Sequence, residues 1–553
     1  MMLPLIAAAS IATFDWFEYR GDDRLPQPAA GEYANPILQG FYPDPSITRV
    51  GDDYYLINST FDWFPGIPVF HSRDLVNWTQ IGNAIDRPDQ LDFKNLGLSR
   101  GVFAPDISWH EGTFYILNTC VDCGGNFVIT AKDPAGPWSN PVWLPELAEA
   151  IDPSLFFDED GSAWVVNNGP PQVASRYEGH RAIWIQRFDP KTLKLSGPRT
   201  VLLDGGIHPE EKPIWIEGPH IFRKDGWYYL IAAEGGTAEG HSQVVLRSKQ
   251  VAGPYEAFAG NPILTQRDLP RNRTTPITSA GHADFVDTKS GEWWATFLAT
   301  RPYADDSYNT GRETFLMSVR WEDGWPRITS PGQVIPWTVA RPKLPPQAKP
   351  AVSTHGAFTV RDEFNSPKLP LHWMMMRNPR GQWWTIDKGA LELQPRPVAL
   401  GDNGNPSFLA RRQQHINGSA STIVRFTPAG GAEAGLVALQ SDEFWYFLAL
   451  ADEGGKPVIR LKRRAGPQEP TTGTILKQEP LPITSGAPLY LRAEARGAEY
   501  DFQWSADGKA WYTLVKGADG TILSTKRAGG FVGAVFGVYA YQPSSGAGAE
   551  RGR

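Results

Sequence analysis

The chain has 553 residues, beyond the roughly 250–300 at which a single hydrophobic core stops growing, so two domains are expected. Its formal net charge of −7 and the absence of any Lys/Arg stripe argue against nucleic acid or anionic lipid as partners. No apolar run reaches the roughly 18 residues needed to span a membrane. The 21 Trp, 18 Tyr and 27 Phe beside 55 Gly and 48 Pro describe an all-β protein of short aromatic strands joined by tight turns. Flat aromatic faces also suit sugar rings, although strand packing accounts for most of them.

In chain order, residues 1–12 are apolar and end in small residues. They read as the second half of a secretory signal without its basic region, so export (periplasmic or secreted) is expected ahead of a cytoplasmic location. Thr13-Phe14-Asp15-Trp16-Phe17-Glu18-Tyr19 reads as one strand, separated from the next strands by the loop-like Gly21 to Gly31.

From Asn35 onward one phrase repeats: a polar residue opens an apolar strand, a Gly/Asp turn comes next, then an aromatic strand. The openings are Asp44-Pro45-Ser46-Ile47, Asp106-Ile107-Ser108-Trp109, Asp152-Pro153-Ser154-Leu155, Glu217-Gly218-Pro219-His220 and His282-Ala283-Asp284-Phe285. Their period, somewhat longer than common blade repeats, predicts a five-bladed β-propeller over 32–335. A Trp or Tyr after a turn marks a third strand in three units, at Trp78, Trp138 and Tyr255. In a propeller the innermost strands all start at one end of the channel. The five openings then converge, and several carboxylates in one funnel are costly unless they bind something or share protons. The two cysteines, in Cys120-Val121-Asp122-Cys123, lack the second pair or nearby histidines that zinc needs, and read as incidental thiols.

A Pro-rich stretch over 336–355 reads as an extended tether. A new pattern of about ten evenly spaced strands, from Phe358 to Trp504, predicts a β-sandwich over 356–545, of concanavalin-like or jelly-roll type. Residues 546–553 read as a flexible tail.

Several of these phrases, taken together and in order, resemble glycoside hydrolase family 43. They are Tyr42-Pro43-Asp44-Pro45-Ser46, Ser59 to Gly66, Ala104-Pro105-Asp106, Asp152 to Phe156, Glu217-Gly218-Pro219-His220, Ala233 to Thr237, Gly281-His282-Ala283 and Gly311-Arg312-Glu313-Thr314. The likeness extends over the linker and the sandwich, and two-domain β-xylosidases and α-L-arabinofuranosidases are the nearest type. It implies hydrolysis with inversion, with Asp44 as general base, Glu217 as general acid and Asp152 tuning and orienting the acid through like-charge repulsion. An inverting pair stands roughly 6.5–9.5 Å apart so that a water fits beneath the sugar.

Arg312 resembles the family's arginine facing the sugar hydroxyls. His282 resembles the histidine under the site, which in some relatives helps hold a water or a structural calcium ion in the channel; no cofactor is required. Phe61 and Trp63 are candidate walls for the sugar site, and Asp106 reads as structural. Relatives often carry Trp before Ala-Pro-Asp, where this chain has Phe103. The sandwich is expected to project Phe531, in Gly529-Gly530-Phe531-Val532-Gly533-Ala534, into the pocket mouth. That closure implies exo-cleavage.

Relatives close the sandwich with a strand of the type Ala-Asp-Phe-Asp-Tyr-Phe-x-Tyr. Its likeness appears here at the other end of the chain, in Ala12 to Tyr19, so that segment is expected to insert as the closing strand.

The function implied is release of xylose from non-reducing ends of β-1,4-xylo-oligosaccharides, with arabinose removal from arabinosylated oligosaccharides as the alternative, or both. A non-catalytic carbohydrate-binding propeller is the remote alternative, and it would be expected to lack one of the three carboxylates. Sucrose-cleaving propellers open with a Trp-Met-Asn-Asp-Pro type sequence, unlike Phe41-Tyr42-Pro43-Asp44-Pro45. Two-domain relatives often associate, so a homo-oligomer is part of the expectation.

Overall fold

The computed structural model describes residues 10–544; most of the signal-like start and all of the expected tail lie outside them. Behind each opening lies one antiparallel sheet. The inner strands are Ser46–Val50, Asp106–His110, Ile151–Phe157, Glu217–Lys224 and Thr278–Asp287. Each lies against the next, and the fifth returns to the first, closing a ring. We number the sheets I to V as blades.

The local chemistry is that of tight hairpins. In blade IV, Lys224 pairs with Trp227 across Asp225 and Gly226. Both turn residues have positive φ, 49° and 73°, as a two-residue hairpin matching strand twist requires. The aromatic after the turn in blades I, II and IV lies beyond the third strand rather than on it. There the Trp78 indole donates to the Leu75 carbonyl at 2.8 Å, the Trp138 indole to Pro134 at 3.2 Å and the Tyr255 hydroxyl to Val251 at 3.1 Å. Each ring locks the turn that leads to the outer strand.

The second body is a sandwich of one eight-stranded and one six-stranded antiparallel sheet. The strand Ala12–Gly21 lies inside the larger sheet. It pairs along one edge with Asn417–Arg425 and along the other with Ala390–Leu393 and then Phe358–Asp362. A bulge between Phe14 and Phe17 shifts its register. Phe14, Phe17 and Tyr19 therefore all turn inward and are fully buried, each contributing about 1.5–3 kcal/mol of hydrophobic stabilisation.

Three segments meet at Arg301, which is buried with its partners. Its guanidinium donates to Glu313 at 2.5 and 2.8 Å and to Asp23 at 2.6 Å. The second oxygen of Asp23 accepts from the Asn417 amide at 2.8 Å. The segment after the first strand is thus tied to blade V and to the sandwich at one point. Part of the Pro-rich stretch, Thr338–Ala340, pairs with Glu32–Ala34.

Two expectations are corrected by the fold. Cys120 and Cys123 form a disulfide, not incidental thiols. The turn between strands Thr113–Val121 and Gly125–Ala131 carries a bond from the Cys123 amide to the Cys120 carbonyl at 3.2 Å. It brings the Cα atoms to 5.1 Å, within bridging range. A Cys-x-x-Cys needs no metal when it closes on itself across a hairpin turn. Trp63 is not a pocket wall: it is fully buried, its strand Trp63–Phe64 pairs with Met375–Met376 of the second body, and its ring packs near Phe41 and Phe408. It cements the two bodies. No helix among the described residues is long and apolar enough to cross a membrane.

Candidate active site

Four of the five openings break regular strand geometry. Asp44, Asp152, Gly218 and His282 have φ of 51°, 52°, 54° and 54°, and the pairing register shifts at the starts of blades III, IV and V. Bulges re-aim side chains, and left-handed residues held in place by their surroundings mark sites where strain is kept for use. At position 218 the constraint is double, since a Cβ would lie 2.7 Å from the His282 ring. The consequence is one small cavity lined by Asp44, Asp152, Glu217, Thr237, His282 and Arg312, with Phe61, Phe103 and Phe531 among its walls.

Asp44 is buried and fully engaged. Arg312 donates to its two oxygens at 2.9 and 3.4 Å, and the Ser59 hydroxyl donates at 2.5 Å. Burial by itself pushes the carboxyl up, but the Arg312 charge and the Ser59 hydroxyl oppose it, and Asp44 lies below the ordinary carboxylate range. Asp152 accepts a hydrogen bond from the Gly218 amide at 3.0 Å, which ties it to the residue after Glu217. Burial, then the charge of Asp44, raise Asp152 to about 7 against the Gly218 amide, His220 and Arg181. Glu217 is pushed well above its usual range, first by burial and then by Asp152 and Asp44. Burial thus leads, and the like-charge effect expected of Asp152 comes second. Burial beside two carboxyls favours the protonated form of Glu217.

The aromatic wall joins the two bodies. Phe531 of the sandwich stacks on Phe61 with centroids 5.8 Å apart and meets Phe103 edge-on at 5.8 Å. Its amide donates to the Ser99 hydroxyl at 2.8 Å. The Arg312 guanidinium lies 5.4 Å from the Phe531 ring, and its Nε has no hydrogen-bond partner among the described residues although buried.

A calcium ion at His282 finds a poor donor set. Calcium takes six to eight oxygens, and the carboxylate nearest the ring, Asp44 at 3.7 Å, already holds Arg312 and Ser59. The His282 ring, lowered to about 4 by burial against the pull of Asp44, is neutral at neutral pH. The residues do not fit a calcium cage.

Asp106 stays out of the pocket, bonded to Ser46, Ser108 and the Leu155 amide. Two further contributors have no role assigned from the sequence pattern, although one of them, Thr237, ends the resembling phrase Ala233 to Thr237. Arg181, whose guanidinium opposes the rise of Asp152 and Glu217, precedes a blade III strand with no repeated phrase around it. Thr237 lies in a loop after the second strand of blade IV.

Comparison with known proteins gives the same architecture. Residues 33–326 match the model of glycosyl hydrolases family 43, and residues 361–550 match the β-xylosidase C-terminal concanavalin A-like domain. A xylosidase/arabinosidase of Butyrivibrio fibrisolvens is 39% identical over 92% of this chain and 95% of its own length. A non-reducing-end α-L-arabinofuranosidase of Bacteroides ovatus is 37% identical over 92% of this chain and 91% of its own. The crystal structure of a GH43_12 protein from a capybara gut metagenome superposes with a TM-score of 0.89 at 38% identity, covering 96% of this chain and 99% of that one. With the propeller, the sandwich and the pocket all in place, this chain belongs to glycosyl hydrolase family 43.

Proposed function

We propose that the chain is an exo-acting, inverting glycosidase that releases terminal xylose from β-1,4-xylo-oligosaccharides. One observation carries the reading: the same pocket holds Asp44, bonded to Arg312 and Ser59 and held below the ordinary carboxylate range, and Glu217, buried beside Asp152 and Asp44 and pushed well above its own. Environments that push two carboxyls apart in this way assign the acid and the base. Glu217 gives its proton to the leaving oxygen. Asp44 takes a proton from the water that attacks the anomeric carbon on the opposite face. Asp152 holds the backbone beside Glu217 and, once ionised, keeps the proton on the acid. Each step uses a side chain of the pocket.

The free Arg312 Nε supports contact with a sugar hydroxyl, since a buried donor without a partner costs about 1–3 kcal/mol until one is supplied. The Phe61–Phe103–Phe531 wall supports closure behind one sugar ring, hence removal of end residues. A second reading, α-L-arabinofuranosidase activity alone or beside the first, is favoured by the names of the Butyrivibrio and Bacteroides relatives.

The test is a side-by-side assay on p-nitrophenyl β-xyloside, p-nitrophenyl α-arabinofuranoside and xylobiose, with the anomer of the first product followed by NMR. Release of the inverted anomer from xylobiose is expected. Retention, or inactivity on all three, would sink the proposal.

A further inference from the structure

Within the openings, beside the residues that line the pocket, a second polar layer meets between the inner strands. His220 Nδ1 lies 3.4 Å from Asp106 Oδ1 and 3.6 Å from Asp284 Oδ1. The other oxygen of Asp284 accepts from the Ser46 hydroxyl and the Ile47 amide, both at 2.9 Å. The other oxygen of Asp106 accepts from the Leu155 amide and the Ser108 hydroxyl, both at 3.0 Å. The Ser46 hydroxyl in turn accepts from the Ile107 amide at 3.1 Å. Blade I is reached through Ser46 and Ile47, II through Asp106, III through Leu155, IV through His220 and V through Asp284. One buried knot therefore touches all five inner strands.

Each strand in the knot also has a pocket residue close by in sequence, blade II through Phe103, three positions before Asp106. Asp44 is two positions from Ser46, Asp152 three from Leu155, Glu217 three from His220 and His282 two from Asp284. Displacing the knot displaces the carboxyls. Its charges also have to balance, because two buried carboxylates facing each other need a cation between them or must take up protons.

We propose that His220, as an imidazolium between Asp106 and Asp284, is a positioning residue for the reaction: it fixes the mutual placement of the catalytic carboxyls and sets a positive charge beside Asp152. The inference rests on the roles of Asp44, Asp152 and Glu217 under the proposed function. The charged and titratable groups around His220 are Asp106 from blade II, Asp152 from blade III, and Asp284 and His282 from blade V. Burial opposes the imidazolium, but Asp284, Asp106 and Asp152 together raise His220 to about 9. His282, neutral at pH 7, adds no competing charge.

The test compares pH profiles of kcat/KM, kcat and KM, and thermal midpoints, for the wild type, His220→Gln and His220→Lys. In His220→Gln the upper acid-side break, that of Asp152, is expected to rise by about one pH unit, because a cation near a buried carboxylate is lost. Its kcat is expected to fall about 10- to 100-fold with KM little changed, because the carboxyls lose their placement. His220→Lys, which keeps the charge, is expected to return this break toward the wild type. A His220→Gln break that coincides with the wild type while kcat and Tm fall overturns the proposal and leaves a brace only. A calcium-dependent rise in Tm that His220→Gln abolishes also overturns it, by putting a metal where the proton was placed. Should His220→Gln not fold, histidine NMR of the wild type decides: a doubly protonated His220 at pH 8 supports the proposal and a neutral ring at pH 7 overturns it. That titration is independent of turnover, so inactivity of the wild type on every pentoside would fail the functional reading and not this one.

Discussion

Replacing Arg312 by Met removes the cation that holds Asp44 in its anionic form, and the size of the effect can be worked from the pair. The guanidinium meets the carboxylate at 2.9 and 3.4 Å, and both side chains are buried. Unit charges with centres ~4 Å apart attract by about 4 kcal/mol at an effective dielectric constant near 20, which is about three pKa units at 1.36 kcal/mol each. Water entering the space left by the guanidinium screens part of this, so Asp44 is expected to rise by about one to three units. The base works only when ionised. Asp44 therefore sets the lower of two acid-side breaks in kcat/KM, beneath that of Asp152, and removing Arg312 moves this lower break upward. The assay is kcat/KM on p-nitrophenyl β-xyloside from pH 4 to 8 at constant ionic strength, with Arg312→Lys as the charge-preserving control. Loss of sugar contacts lowers the plateau in both variants, but the plateau and the lower break are separate readings. A lowered plateau with the lower break of Arg312→Met unmoved would refute the assignment of Arg312 as the group that ionises Asp44.

Glu217→Ala is expected to abolish hydrolysis of xylosides with poor leaving groups while sparing part of the rate on activated aryl glycosides; equal, small losses on both would remove it as the acid. Asp152→Asn should stabilise the protein at alkaline pH while slowing catalysis. Its raised folded-state pKa means that Asp152 contributes stability present below the ordinary carboxylate value of 3.8 and lost as pH rises through about 7. Urea unfolding at pH 8 is expected to show a gain of about 2–4 kcal/mol over the wild type, and none at pH 4. Asp23→Ala leaves Arg301 short of one partner and the Asn417 amide unpaired; a cost of about 2–4 kcal/mol in denaturant unfolding is expected, and a change under about 0.5 would show the junction to be unimportant. Changing both Cys120 and Cys123 to Ser removes a very short covalent loop, so a loss of only about 2 kcal/mol is expected in denaturant unfolding of the variant against the oxidised wild type.

The openings are legible because one chemical need, a polar residue aimed into a shared funnel, recurs in phase with a hairpin that the turn residues announce. Their backbone is not. Nothing in Asp44-Pro45-Ser46 says that Asp44 takes a left-handed φ, which depends on neighbouring blades. Trp63 escapes a correct placement because alternation along a loop of aromatics does not tell a ring facing sugar from one facing the other domain; Phe61 and Trp63 differ by two positions and face different partners. Phe103, a departure from relatives in the sequence, proves to be part of the aromatic wall. Arg181 is out of reach because it acts across space from an unpatterned loop. His220 and Asp284 stand within the openings, but their meeting with Asp106 requires five strands to be set side by side, and no spacing within one strand encodes that.

The strand Ala12–Gly21 carries a cost in time. Its backbone at Trp16 accepts a hydrogen bond from Thr422, 406 residues later, so on a ribosome adding ~5–20 residues per second it waits roughly 20–80 s for that partner. Throughout that interval Phe14, Phe17 and Tyr19 stay without their final neighbours while the whole propeller is made and can close. The strand synthesised first is thus among the last to be paired, and the slow, long-range step of assembly falls at the sandwich rather than at the ring that holds the carboxyls.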